Sequence, residues 1–163
     1  MRLLARVFRL RRETGCVIQS RLDQLSCVDR MTGKIARKLR LDRDQQDNLG
    51  IAVTEAVGNA IVHGNRSDPE KKVTIRFQVE GDRVHVFVSD QGRGFNPESL
   101  PDPRLPDNLM KENGRGIFIL KSLMDEVHFD FTPAGTTLHM VMRKRDKGNH
   151  EGQSEGAVQA EAH

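Results

Sequence analysis

The sequence has no tryptophan and no tyrosine; seven phenylalanines are its only aromatic side chains. Proteins that stack nucleobases on aromatic platforms carry more, so direct nucleic-acid binding is not expected. There are two cysteines, Cys16 and Cys27. Two cannot build a disulfide framework, and their spacing fits no zinc-ligand pattern, so both read as reduced, incidental thiols. No run of about 18 apolar residues occurs, which excludes a transmembrane helix. Arginines at 2, 6, 9, 11 and 12 interrupt the stretch where a secretory signal needs an apolar core. The expected location is therefore the cytoplasm, with no membrane partner.

What is present fits a folded domain. Of 163 residues, 36% are hydrophobic and 30% charged, which places the chain with soluble globular proteins. The net charge of +3 is unevenly spread: residues 1–50 hold twelve Lys and Arg against six Asp and Glu. Such a basic half suits an acidic protein or a nucleic acid, or is simply a solvated helix face. Residues 144–163 contain almost no large apolar side chain and are expected as a disordered tail, leaving one domain over residues 1–143.

The hydrophobic period predicts the elements. Residues 5–13 alternate as an edge strand. Ile18, Leu22, Leu25, Val28, Met31, Ile35 and Leu39 recur at helical steps and predict a helix over 18–40. Asp42 is placed to cap a second helix over about 43–63. Val73, Ile75, Phe77 and Val79 alternate with polar residues, as do Val84, Val86 and Val88, with Glu80-Gly81-Asp82 between them; this is a hairpin with one buried face. A long Gly/Pro/Asn/Asp-rich loop spans 91–114, followed by a short helix and strands near 126–132 and 136–143. The order predicts an α+β fold: a two-layer sandwich whose mixed, mostly antiparallel sheet is covered by helices on one face.

Three places could carry chemistry. Glu55 and Asn59 lie one turn apart on the second helix, where a carboxylate can accept a proton and an amide oxygen can hold Mg2+. Alone, such a pair is more often ordinary helix surface. Asp90-Gln91-Gly92-Arg93-Gly94 follows a strand, so Asp90 can accept from a ligand amino group while Gly92 and Gly94 allow close backbone approach. Alone, it is more often a plain turn. Gly114-Arg115-Gly116 opens a helix, where free N–H groups and an Arg fork suit an anion; a flexible hinge is the bland reading. Neither a lysine-bearing phosphate loop nor a Rossmann fingerprint is present, and no Gly-x-Ser-x-Gly elbow. His63, His85, His128 and His139 are scattered without metal-ligand spacing.

The joint order is more specific than any single motif. TEAVGNAIVHGN (54–65), SDQGRGF (89–95), NGRGIFILKSLMDEV (113–127) and GTT (135–137) resemble the nucleotide-binding boxes of the ATPase/kinase superfamily of gyrase, heat-shock chaperones and histidine kinases. Within it the chain is most similar to bacterial anti-sigma regulatory factors that act as serine/threonine kinases. The resemblance implies the Bergerat ATP-binding fold over about residues 5–143. By position, it makes Glu55 the general base and Asn59 the Mg2+ ligand. Asp90 would bind the adenine amino group, Gly92 would allow close approach, and Thr137 would help through water. Residues 94–114 would form the ATP lid, with Gly114, Arg115 and Gly116 around the phosphates.

The implied reaction is phosphoryl transfer from ATP to a serine or threonine of an anti-anti-sigma protein, with sequestration of a sigma factor as the alternate state and a homodimer as the assembly. The alternative is a non-catalytic ATP-binding partner-switch module. Neither a phosphoacceptor-histidine helix pair before residue 5 nor a transducer domain after residue 143 is read, so neither a complete sensor histidine kinase nor a gyrase-like ATPase is expected.

Overall fold

The structure, a computed structural model, describes residues 6–10, 13–92 and 112–145, with backbone alone for 6–10 and 112–115. Segments of period two become strands: β1 (Arg6–Leu10), β2 (Glu13–Gln19), β3 (Lys72–Glu80), β4 (Arg83–Ser89), β5 (Glu126–Thr132) and β6 (Gly135–Arg143). They form one sheet in the order β1-β2-β3-β4-β6-β5. Every pairing among the described residues is antiparallel, so the sheet carries no parallel pair there. Segments of helical period become α1 (Leu25–Lys38), α2 (Arg43–Asn59) and α3 (Glu112–Leu123). A 3-10 turn, Leu22–Gln24, leads into α1, and a π turn, Ala60–Gly64, ends α2.

Alternation sorts the sheet residues onto two faces. Toward the helices point Val73, Ile75 and Phe77 of β3, Val84, Val86 and Val88 of β4, and Leu138, Met140 and Met142 of β6, none more than 6% exposed. Val86 pairs with both Phe77 and Met140, which fixes the register of this inner row. Leu49, Val53 and Val57 of α2, Val28 of α1 and Leu120 of α3 close over it. Each fully buried side chain of this size contributes roughly 1.5–3 kcal/mol, so this layer drives folding. The outer face is polar and planar. Glu13 pairs with Arg76 at 3.6 Å, the Arg76 guanidinium lies 5.0 Å over Phe87, and Phe87 stacks on His139 at 4.3 Å.

β4 and β5 run the same way with β6 between them, so the chain must cross the sheet after β4, and α3 lies in that crossing. At the β3–β4 hairpin, Gly81 takes φ +60°, a conformation that costs glycine little and matches the twist of the strands. Asp42 caps α2 as expected: its Oδ1 accepts from the Gln45 N–H at 2.8 Å.

The N-terminal quarter differs from the sequence reading. The expected strand over 5–13 is β1 at Arg6–Leu10, a second strand not read from sequence, β2, pairs with it, and the expected helix over 18–40 begins only at Leu25. Cys16 and Ile18, each 2% exposed, are inward residues of β2, while Leu22 is 54% exposed on the 3-10 turn. Ile18 and Leu22 stand four apart and mimic a helical step, but continuous pairing of β2 with β3 outweighs that local period. Burial and, second, the neighbouring Cys27 push the Cys16 thiol up to about 12, which leaves it inert as a nucleophile near neutral pH.

Lys144 and Arg145, assigned to the tail by sequence, are tied to the domain. The Lys144 N–H donates to the Asp82 carbonyl at 2.7 Å and the Arg145 N–H to Gln45 Oε1 at 3.2 Å. The rest of the expected tail, residues 146–163, lies outside the described residues. No helix among the described residues is long and apolar enough to cross a membrane.

Candidate functional site

Glu55 and Asn59 stand one turn apart on α2, both half-buried, and the Asn59 amide donates to Glu55 Oε1 at 3.2 Å. Glu55 Oε2 and Asn59 Oδ1 have no hydrogen-bond partner among the described residues. α3 packs across this pair, and Gly116 makes the approach possible. A Cβ there would overlap Glu55 Oε1 and come within 2.9 Å of Asn59 Nδ2. The first turns of α3, with the backbone of Gly114, Arg115 and Gly116, are therefore brought beside a carboxylate and an amide. The sequence reading puts the helix start at these residues, but α3 begins at Glu112, so Gly114 is in the first turn, where peptide N–H groups lack intrahelical acceptors and favour anions, and Gly116 is in the second.

The second part of the site is the end of β4. Asp90 Oδ1 accepts from the Gly92 N–H at 2.8 Å and from the Thr136 N–H at 3.1 Å, and the Asp90 N–H donates to the Thr136 carbonyl at 2.9 Å. One carboxylate oxygen is thus fixed, while Oδ2 has no partner among the described residues. The backbone crowds this group from three sides. A Cβ on Gly64 would overlap Asp90 Oδ2, one on Gly92 would overlap the Gly64 carbonyl, and one on Gly135 would overlap the Asp90 carbonyl. Gly135 also has φ +143°, a region that side-chain-bearing residues rarely adopt. A carboxylate locked at one oxygen and free at the other suits a directional bond from a planar amino group.

The two parts share one helix. The π turn after Asn59 carries Gly64 against Asp90, and wide turns of this kind concentrate at functional sites. The structure thus brings Glu55, Asn59 and Gly116 together, and sets Asp90 and Gly92 against the end of the same helix. Gly114 and Arg115 fall within α3. Gly94 and the expected lid up to residue 111 lie outside the described residues.

Thr137 is not brought to this site. Its hydroxyl is 2.8 Å from that of Ser89, with which it pairs in register, on the outer face of the sheet. Strand alternation sends Thr136 inward instead, 8% exposed, with its N–H on Asp90. Sequence reasoning also missed Asn65 and Gln91, which tie the Asp90 loop to the helix end. Asn65 closes the 54–65 motif in the sequence, but no side-chain role is read for it there.

A family profile described as a histidine kinase-like ATPase domain matches residues 18–142. The chain belongs to that family. The matched span contains both parts of the site. Among curated relatives, the chain is 34% identical over 113 residues to the serine-protein kinase RsbW of Bacillus licheniformis, covering 66% of this chain and 70% of that one. It is 33% identical over 113 residues to the enzyme of the same name from Bacillus subtilis, with the same coverage. It is 33% identical over 103 residues to the anti-sigma F factor of Anoxybacillus flavithermus, covering 60% of this chain and 69% of that one. Within the histidine kinase-like ATPase family, these relatives make the chain a protein serine/threonine kinase.

Among solved structures, the RsbU and RsbW domains of Rv1364c from Mycobacterium tuberculosis superpose with a TM-score of 0.61 at 17% identity. That match covers 81% of this chain and 32% of the other, so it spans about a third of that longer protein and speaks for the fold alone.

The residues present fit a nucleotide of the kind this family uses. Glycines at 64, 92 and 135 let the backbone close around Asp90 while its Oδ2 stays unbonded among the described residues, and the Glu55–Asn59 pair offers oxygen donors of the type Mg2+ takes. No group of three or more His, Cys, Asp or Glu among the described residues is arranged to hold a metal. Mg2+ usually keeps several waters and is held by one or two protein carboxylates plus substrate phosphates, so an all-protein cage is not required.

Proposed function

We propose that the chain is an ATP-dependent protein serine/threonine kinase acting as an anti-sigma regulatory factor, which phosphorylates an anti-anti-sigma protein and otherwise sequesters a sigma factor. The observation that carries this reading is the Glu55–Asn59 pair beneath Gly116, on the helix whose end meets Asp90. It gives one helix both a base and a metal donor, and the sheet beside it a carboxylate for the purine.

In this reading Asp90 Oδ2 accepts from the adenine amino group and Gly92 lets the backbone approach the ring. The backbone of Gly114, Arg115 and Gly116 lies beside the phosphates. Asn59 Oδ1 would hold Mg2+, which when bound would supply charge neutralisation for the phosphates. Glu55 takes the proton from the acceptor hydroxyl as its oxygen bonds to the γ-phosphorus. The bond from that phosphorus to the β–γ bridging oxygen breaks, and ADP leaves with the electron pair. Such transfer is mostly positioning and charge stabilisation, so few side chains suffice.

The name of the anti-sigma F factor supports a sigma factor as partner and that of the serine-protein kinase a protein serine as acceptor, and the family resemblance adds the anti-anti-sigma protein. Arg30 and Lys34, exposed one turn apart on α1, and Arg37 beyond them give an acidic protein a surface to meet. The chain works as a homodimer in the cytoplasm, without direct nucleic-acid or membrane contact.

The test combines two measurements. Calorimetry with Mg-ATP reads nucleotide uptake, and ATP labelled on its γ-phosphate reads transfer to anti-anti-sigma proteins of the same cell. The expected result is a labelled serine or threonine for wild type, and for Glu55→Gln unchanged ATP affinity with transfer reduced by about 10²–10⁴-fold. Nucleotide uptake without transfer to any such protein would replace this reading with the non-catalytic partner-switch module.

A further inference from the structure

Asn65 is 0% exposed, yet its side chain bonds at both ends. Its Oδ1 accepts from the Gln91 N–H at 2.8 Å, and its Nδ2 donates to the Lys72 carbonyl at 3.0 Å. The third side of the figure is also present: Gln91 Oε1 accepts from the Lys72 N–H at 2.7 Å. Asn65, Lys72 and Gln91 thus close a ring of hydrogen bonds joining the end of the α2 π turn, the start of β3 and the loop after β4. Each bond uses a group that would otherwise be left at a strand end or a turn, so the three residues hold one another in place.

The position of the ring gives it a consequence. Gln91 lies between Asp90 and Gly92, and the N–H of Gly92 is one of the two donors that fix Asp90 Oδ1. Gly64, immediately before Asn65, is the backbone against Asp90 Oδ2. Immediately after Asn65, Arg66 and Ser67 both take positive φ, +56° and +55°, a strained conformation for residues with side chains. A strained turn persists only where its surroundings hold it, and the Asn65 side chain anchors its first residue.

We infer that Asn65 and Gln91 are positioning residues: their ring with Lys72 sets the aim of Asp90 Oδ2 and thereby the preference of this site for a purine bearing a 6-amino group. This rests on the proposed role of Asp90. The ring acts on the purine end of the site; Glu55, Asn59 and Gly116 take no part in it.

The test compares ATP with inosine triphosphate, which has a carbonyl oxygen in place of the amino group. Dissociation constants for both, with Mg2+, are measured for wild type, Gln91→Ala, Gln91→Glu and Asn65→Asp. Gln91 is exposed, so its substitutions leave the core intact. Gln91→Ala is expected to weaken ATP by about tenfold, the scale of one lost hydrogen bond to a fixed group, while inosine triphosphate changes by no more than about twofold. Gln91→Glu keeps an oxygen for the Lys72 N–H and is expected to restore the ATP preference. Asn65→Asp keeps the bond from Gln91 but sets a carboxylate oxygen against the Lys72 carbonyl, and is expected to lose the preference as Gln91→Ala does. Equal weakening of both nucleotides by Gln91→Ala, or failure of Gln91→Glu to rescue, overturns the role of the ring. A wild type that binds ATP and inosine triphosphate equally overturns instead the assignment of Asp90, and the ring's role falls with it.

Discussion

Gly116 is a residue whose replacement separates chemistry from folding. Glycine inside a helix ordinarily costs about 1 kcal/mol relative to alanine, so Gly116→Ala would be stabilising on propensity alone. Here the new methyl would meet Glu55 Oε1 and Asn59 Nδ2, and relief requires either the pair to part or α3 to shift. Overpacking of this kind costs about 1–3 kcal/mol. The two effects partly cancel, so the urea midpoint is expected to move little while phosphoryl transfer falls by about tenfold or more, because Glu55, the proposed base, is displaced. Activity retained at the wild-type level would show that α3 does not rest on the pair. At this scale the sequence was informative where a motif is local. Glu55 and Asn59 are one turn apart whatever the rest of the chain does, and Asp90 ends a strand visible from alternation. Thr137 was misplaced because two adjacent threonines fall on opposite faces, and only the register with Ser89 decides which one meets Asp90.

Among the elements, α2 is the one on which the site depends, since it carries Glu55 and Asn59 and ends at Gly64. Its start is fixed by Asp42, whose carboxylate accepts from the Gln45 N–H, and by Gln45, whose Nε2 donates to the Arg143 carbonyl at 2.6 Å. Asp42→Ala removes the cap, leaves an N–H of the first turn unsatisfied and is expected to cost about 1 kcal/mol, read as a lower urea midpoint with an unchanged slope. Asp42→Asn keeps an acceptor oxygen and is expected to recover most of the loss; an equal loss would assign the effect to charge. The cap was legible because Asp followed by a helical period is a local signal. The β3–β4 and β5–β6 hairpins were legible for the same reason. The split of the N-terminal region into β1 and β2 was not, because Gly15, Cys16 and Ile18 read as strand only when paired with Arg76, Ile75 and Val73. Nor was the π turn, which widens to bring Gly64 onto Asp90, a contact across 26 residues of sequence.

In the whole molecule the sheet has two unlike faces, and the composition of each follows from strand alternation. The helices cover the aliphatic face, so the fold class could be anticipated from strand alternation and helical period. The order of planar groups on the other face could not, since it depends on strands far apart in sequence lying in register. There His139 stacks on Phe87, its Nε2 is 3.0 Å from His85 Nδ1, and His128 lies across from it on β5. Burial first, then the charges of His85 and His128, hold the His139 imidazolium below its ordinary value of 6.5, with Glu126 opposing; Arg76, over Phe87, adds a further positive charge to this face. The unfolded chain therefore binds a proton at this site more readily than the folded one. Stability tied to neutral His139 is complete above about pH 6.5 and is lost as pH falls through the lower folded value. Urea unfolding of wild type at about pH 7.5 and 5.5 is expected to show a lower midpoint at the acid value. His139→Phe keeps a ring on Phe87 and removes the titrating group, so its midpoint is expected to fall less over the same interval. An identical fall in both proteins would place the acid sensitivity elsewhere, and the stacked row across the sheet would then be a packing feature alone.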